Sequence, residues 1–192
     1  RAFPLEELDQ RMPQLLAGRE RLHLPLARDA ALDERVRGWL TATRAKEREG
    51  VRAPHSLVDL TEILHEQRLI KGPEEIEAMR AAATISAEAH ARAQSVCRPG
   101  MTEYQVQAEL EYVFAHHGAD APAYPSIVAG GANACVLHYT ENADTLGEGD
   151  FLLIDAGCEY QGYAADITRT FPVGQTVSGP RADLWHIVAG AQ

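Results

Sequence analysis

Asp155 and Asp166 each interrupt apolar, strand-forming sequence: Phe-Leu-Leu-Ile precedes the first and Gly-Tyr-Ala-Ala the second. No lysine lies between Phe151 and Thr170, and the one arginine there, Arg169, comes near the end. A carboxylate among apolar neighbours is costly to bury unless positive charge or hydrogen-bond donors meet it. If residues 151–170 fold as a hairpin turning within Glu159–Gly162, a two-residue turn centred on Tyr160 and Gln161 sets Asp155 directly opposite Asp166. Their Cβ atoms would then be about 4.5–5.5 Å apart. A left-handed bulge at Gly162 would shift the register by one residue and loosen the pair. Adjacent carboxylates repel and push one of the two toward protonation. Divalent cations remove the conflict, and a carboxylate can bridge two ions held about 3.5–4 Å apart. Oxygen donors favour manganese or magnesium over a thiolate-type zinc site. Spacing alone leaves an alternative open, in which one aspartate accepts backbone hydrogen bonds and the other faces water.

The other candidates carry weaker signals. His138, in Leu-His-Tyr-Thr-Glu-Asn, is by itself compatible with strand packing. His116 and His117 close a helix before Gly118, where histidine complements the negative end of the dipole. His90 lies on a helix face with no acidic motif, and His186 follows Asp183 at helical spacing; both read as structural. Tyr139 and Tyr163 are candidates to line the site, or simply to pack. Arg169 is expected to pair with a neighbouring acid. Ala129–Asn133 (AGGAN) has the glycines of a phosphate loop but not its Lys-Ser/Thr.

These residues need elements to hold them. Apolar residues at helical spacing predict helices over "PLEELDQRMPQLLAG", over residues 29–50 with a stripe of Leu32, Val36, Trp39 and Leu40, and over "SLVDLTEILHEQRLI". "RLHLPL" reads as a short strand. Pro73 suits a first helical position and opens a long Ala-rich helix to about Val96. Thr102 caps another, ending near His117. The character then changes to strand-like runs, "AYPSIVAGG", "ACVLHYT", "DFLLIDAGCEY" and "GYAADITRTFPV", before a last helix after Pro180. Helices followed by strands predict an α+β domain with an antiparallel sheet.

The bulk numbers narrow the class. The 192 residues carry 28 acidic and 18 basic side chains, a net charge of −10, which leaves no basic surplus for nucleic acid or an anionic membrane. No apolar run approaches bilayer length. The three cysteines are odd in number and far apart, which predicts small buried hydrophobes in a reducing, cytoplasmic setting rather than a disulfide framework. The chain opens on Arg1 and reads as processed or a fragment.

"LHYTEN" followed by "GDFLLIDAGCEYQGYAADITRTFPV" resembles the metal-binding region of Xaa-Pro aminopeptidases (aminopeptidase P). The similarity extends back through "CRPGMTEYQVQAELEYVFAHHGA" and "RLIKGPEEIEAMRAAATISAEAHARA". It covers about Arg68 to the end, and the helical segment before it more weakly. The resemblance implies the pita-bread fold: two related αβ halves around a dinuclear metal centre, behind a separate N-terminal domain. Residues 1–67 are then expected to be the end of that N-terminal domain plus a linker helix, and residues 68–192 the first half of the metallopeptidase domain. Asp155 matches the aspartate that binds one metal, Asp166 the one that bridges both, and His138 the histidine beside the substrate. Ala165 departs from the family's glycine and is expected to crowd a close backbone approach.

The implied activity is release of the N-terminal residue from peptides with proline second, by two-metal activation of a bridging water, with manganese as the expected ion. The family takes one histidine and two glutamates from its second half, so this chain alone is expected to be inactive. No nucleic-acid or membrane partner is expected, and self-association through uncovered apolar surface is open. A prolidase shares the scaffold. Methionine aminopeptidases have two aspartates at this spacing, but "LHYTEN" does not look like their segment. A non-catalytic pita-bread module that binds a protein is the rival from another class.

Overall fold

The computed structural model describes residues 2–174 and 178–191. The chain divides into two compact units, residues 1–71 and residues 72–192.

The first unit contains α1 (Leu8–Leu16), β1 (Arg21–Leu24), α2 (Ala30–Arg44), β2 (Ser56–Asp59) and α3 (Leu60–Leu69). β1 and β2 pair in parallel, with α2 as the connection between them. Asp29 starts α2 by accepting from the N–H groups of Ala31 and Leu32 at 2.8 and 3.2 Å, two donors the first turn would otherwise leave orphaned. Val36, Trp39 and Leu40 of the predicted stripe are buried with Leu16 and Leu24, and Leu32 packs at their margin. Two expectations are corrected here. α2 stops at Arg44, and Glu47–Glu49 form a 3-10 turn closed by left-handed Gly50. Ser56–Asp59 is a strand rather than the start of a helix, because Asp59 serves as the cap of α3, accepting from Thr61 N–H at 2.9 Å.

The second unit opens with α4 (Pro73–Val96) and α5 (Glu103–His116). Pro73 takes the first helical position, and Glu75 reaches back to the Gly72 N–H at 2.6 Å. Thr102 is the N-cap of α5, and Gln105 accepts from its N–H at 2.9 Å. Then follow β3 (Ala121–Pro122), β4 (Ile127–Gly130), β5 (Phe151–Ala156), β6 (Cys158–Tyr160), β7 (Tyr163–Ala164), β8 (Ile167–Pro172) and α6 (Pro180–Ala191). Gln192, which the expected last helix includes, lies outside the described residues. Two antiparallel three-stranded sheets form, in the orders β4-β5-β8 and β3-β6-β7.

Strand alternation separates core from site. β5 buries Leu152, Ile154 and Ala156 against Ala82, Ala89 and Ala93 of α4 and Val106, Leu110 and Phe114 of α5. The small side chains of α4 let helix and sheet approach closely. Successive strand residues face opposite sides, so Leu153 and Asp155 face away from the helices. Ile127 and Ala129, paired with Asp155 and Leu153, share that face and form a separate cluster with Tyr139. The run "ACVLHYT" is not a strand: residues 131–135 are a 3-10 turn and His138 stands in a loop. Its backbone is held by side chains instead of a ladder.

Candidate metal centre

β6 and β7 are joined by Gln161 and Gly162, both left-handed (φ 51° and 79°), between the paired residues Tyr160 and Tyr163. Two left-handed central residues make the turn that matches strand twist. The expected turn, centred on Tyr160 and Gln161, is thus displaced by one residue, and the pairing by two. Asp155 stands opposite Thr168, not Asp166. Because side chains alternate with period two, a two-residue displacement keeps both aspartates on one face, as diagonal neighbours rather than opposed ones.

The strands are drawn together where the two aspartates meet. A Cβ added to Gly157 would lie 1.9 Å from the Ala165 carbonyl oxygen and 3.0 Å from the Asp166 nitrogen. Only glycine tolerates that approach. The crowding expected at Ala165 does not occur, since its methyl packs within the core cluster at 8% exposure. The tight position is the glycine across from it.

Tyr124 completes the arrangement. The outer strand advances from Pro122 to Ile127 while its partner advances only from Cys158 to Asp155, so residues 124–126 bulge. The half-buried Tyr124 hydroxyl lies 2.6 Å from Asp155 Oδ1 and 3.1 Å from Asp166 Oδ1. Burial, reinforced by the hydrogen bond to Asp155 and the charges of both aspartates, pushes the phenol far above its ordinary pKa. One hydroxyl proton serves one carboxylate at a time, so the three oxygens together are short of positive charge. Sequence reasoning missed this residue. The available signal was Tyr-Pro at the entrance to a strand, since proline there breaks the ladder and favours a bulge.

No ion pair to either aspartate occurs among the described residues. Arg169, expected to pair with an acid, donates to the Thr168 carbonyl at 2.7 Å. Asp155 is half-buried and Asp166 exposed. Their oxygens fit a hard divalent cation such as manganese or magnesium. The described residues contain no cluster of three or more metal-capable side chains, so this chain offers such a site two carboxylates.

His138 is exposed and left-handed (φ 56°). No hydrogen bond joins it to Asp155 or Asp166 among the described residues, but its neighbour Tyr139 packs on the sheet face that carries Asp155. The tyrosines expected to line the site have other partners: Tyr139 donates to Glu103 Oε2 at 2.8 Å, and Tyr163 to Glu75 Oε1 at 2.5 Å. Asn142 anchors the far side of the loop. Its Oδ1 accepts from Val128 N–H at 3.0 Å, and its Nδ2 donates to the Ser126 carbonyl and Gln107 Oε1 at 2.7 and 2.9 Å. His90 meets the Ala156 carbonyl at 3.0 Å from the helical side of the sheet, and burial lowers its pKa. His117 lies 3.3 Å from Glu88, and His186 Nδ1 contacts the Ala182 carbonyl at 2.6 Å. Each of the three thus has a contact of its own within the second unit.

Comparison with known proteins gives a consistent picture. Residues 77–192 match the family model described as metallopeptidase family M24. An Xaa-Pro aminopeptidase of Escherichia coli is 44% identical over 188 residues, covering 98% of this chain and 43% of the relative. A glutamate-to-alanine variant of Escherichia coli aminopeptidase P in complex with substrate superposes with a TM-score of 0.92 at 43% identity, over 100% of this chain and 43% of that one. A zinc-substituted form of the same enzyme in complex with product gives a TM-score of 0.91 at 43% identity, with the same coverage. The chain therefore spans about two-fifths of the length of the relatives it matches.

Proposed function

The chain belongs to metallopeptidase family M24, and from that premise we propose that it is part of an aminopeptidase releasing the first residue of peptides with proline in second position. Its architecture is that of the pita-bread enzymes. In this reading residues 1–67 end an N-terminal domain and residues 68–192 form the first half of the metallopeptidase domain.

The observation that carries the proposal is the convergence of Asp155 and Asp166 on one tyrosine hydroxyl, on the sheet face turned away from the helices. Asp155 would hold one divalent cation and Asp166 would bridge two, with manganese as the expected ion. When bound, such ions polarise the scissile carbonyl and acidify a shared water. The chain's own contribution is placement. Gly157 brings the aspartate-bearing strands together, and Tyr124 keeps a proton against Asp155. The exposed His138 stands ready to donate to the oxygen on which charge develops. Two carboxylates leave a two-ion site short of donors, and we assign the remainder to residues outside this sequence.

A prolidase remains the nearest rival. Identity to an Xaa-Pro aminopeptidase across both units, including the first, favours the aminopeptidase reading. Of the three cysteines expected to be buried, Cys158 is buried, but Cys97 is half-buried and Cys135 exposed; free thiols fit the cytoplasmic setting proposed here. No helix among the described residues is long and apolar enough to cross a membrane. The test uses the whole protein loaded with manganese, assayed on a tripeptide with proline second and on an Xaa-Pro dipeptide. Turnover of the tripeptide alone is expected. Preference for the dipeptide would make it a prolidase, and cleavage of neither would favour a binding module.

A further inference from the structure

Glu103, the first residue of α5, is 0% exposed. A buried carboxylate is costly unless its lone pairs are fully met. No lysine or arginine pairs with it among the described residues. Four donors meet it instead. Oε1 accepts from the Gly130 N–H at 2.7 Å and from Asn133 Nδ2 at 3.0 Å. Oε2 accepts from the Tyr139 hydroxyl at 2.8 Å and from the Asp144 N–H at 3.0 Å. The helix N-terminus adds a favourable field for negative charge.

All four donors come from one segment, residues 130–144, and they bracket His138. The Glu103 N–H closes the circuit on the Asp144 carbonyl at 2.9 Å. The glycine-rich "AGGAN" run thus presents a backbone N–H to an internal carboxylate rather than to a phosphate. Between the anchors, His138 holds a left-handed backbone, a conformation that persists in a non-glycine residue when its surroundings over-determine it. A core position needs no carboxylate. A leucine would fill the volume but leave four donors of one loop unmet and unfixed.

We propose that Glu103 is a positioning residue for the proposed peptidase reaction, setting through Tyr139 and Asn133 where His138 stands. The inference rests on the substrate-side role given to His138 above.

The test is a double-mutant cycle in the whole, metal-loaded protein. Glu103→Gln keeps the shape but turns an NH2 group toward N–H and O–H donors. A displacement of about 1 Å at such a group costs up to about 10²-fold, so kcat should fall by about that factor with KM and metal content near wild type. Tyr139→Phe, which removes one donor and keeps the ring buried, should give a smaller loss of the same kind and covers the case in which Glu103→Gln folds poorly. Val113→Ala, a core truncation in the same helix, should lower Tm without lowering kcat. In a His138→Ala background the Glu103→Gln loss should vanish, because residues acting through one group are not additive. Equal losses from Glu103→Gln in both backgrounds would overturn the inference, as would wild-type kcat in both Glu103→Gln and Tyr139→Phe when His138→Ala is defective. Wild-type kcat in His138→Ala itself would overturn the reading of His138, and this inference with it.

Discussion

Two neighbouring regions of the second unit hold their candidate functional residues by different means. The Phe151–Pro172 hairpin places Asp155 and Asp166 by backbone pairing, with register, turn and alternation deciding which face each side chain takes. The segment from Gly130 to Asp144 is held by side chains, with Glu103 meeting it on both sides of His138 and Asn142 tying it to β4 and α5. A ladder distributes its positional information over many equivalent bonds. A side-chain anchor concentrates it in one or two residues distant in sequence. The hairpin should therefore fail only where backbones collide, whereas the loop should fail at a single polar substitution.

The largest effect is expected from Gly157→Ala in the whole protein. Its methyl would meet the Ala165 carbonyl, so the strands must part and the aspartates with them. Metal content and activity should both be lost, with destabilisation in the large tail of single substitutions, on the order of 3 kcal/mol or more. Hydrogen exchange should show residues 130–144 still protected. Loss of protection in both regions together would show that they are not separate devices.

His138→Ala should act on the other side of the comparison. The expected loss is about 10²–10³-fold in kcat, with metal content retained, since the aspartates keep their places. A metal-free variant with unchanged turnover per bound ion would make His138 a ligand instead.

Asn142→Ala should have a smaller consequence. It orphans the buried Val128 N–H and Ser126 carbonyl, at about 1–3 kcal/mol for each group left unmet. Thermal unfolding should register the loss, and hydrogen exchange should localise it to residues 126–144 while metal content stays. A fall in metal content would break the comparison by showing that the loop also supports the aspartates.

The same contrast explains what the sequence made legible. Helix α4 and the strands β5 and β8 follow from period, capping and alternation, which are local. The Phe151–Ala156 run is apolar apart from Asp155, so the sequence marks a strand there, while the face Asp155 takes follows from the burial alternation in the fold. The expected register differs from the observed one by two because it centres the turn on Tyr160 and Gln161, although Gln161-Gly162 carries the glycine that a left-handed turn needs. The clearance at Gly157 depends on where Ala165 arrives, and that is a pairing fact. Tyr124 and Glu103 are less legible still. Each meets partners far along the chain, from position 124 to 155 and from 103 to 139; the Tyr-Pro pair signals a bulge but not the partners of Tyr124, and no local pattern marks Glu103. Val, Leu and Tyr favour a strand at residues 134–140, but Glu103 and the Gly-Gly turn take that backbone elsewhere.

The central claim is that Asp155 and Asp166 form the near half of a two-ion site, with Asp166 as the bridge. The most direct test is metal content measured together with turnover in Asp166→Asn of the whole protein, with circular dichroism as the check on folding. A neutral amide cannot balance two cations as a carboxylate does. The account predicts a folded protein that has lost most of its activity and retains at most one ion per chain. A folded variant with two ions and near-normal turnover would contradict it.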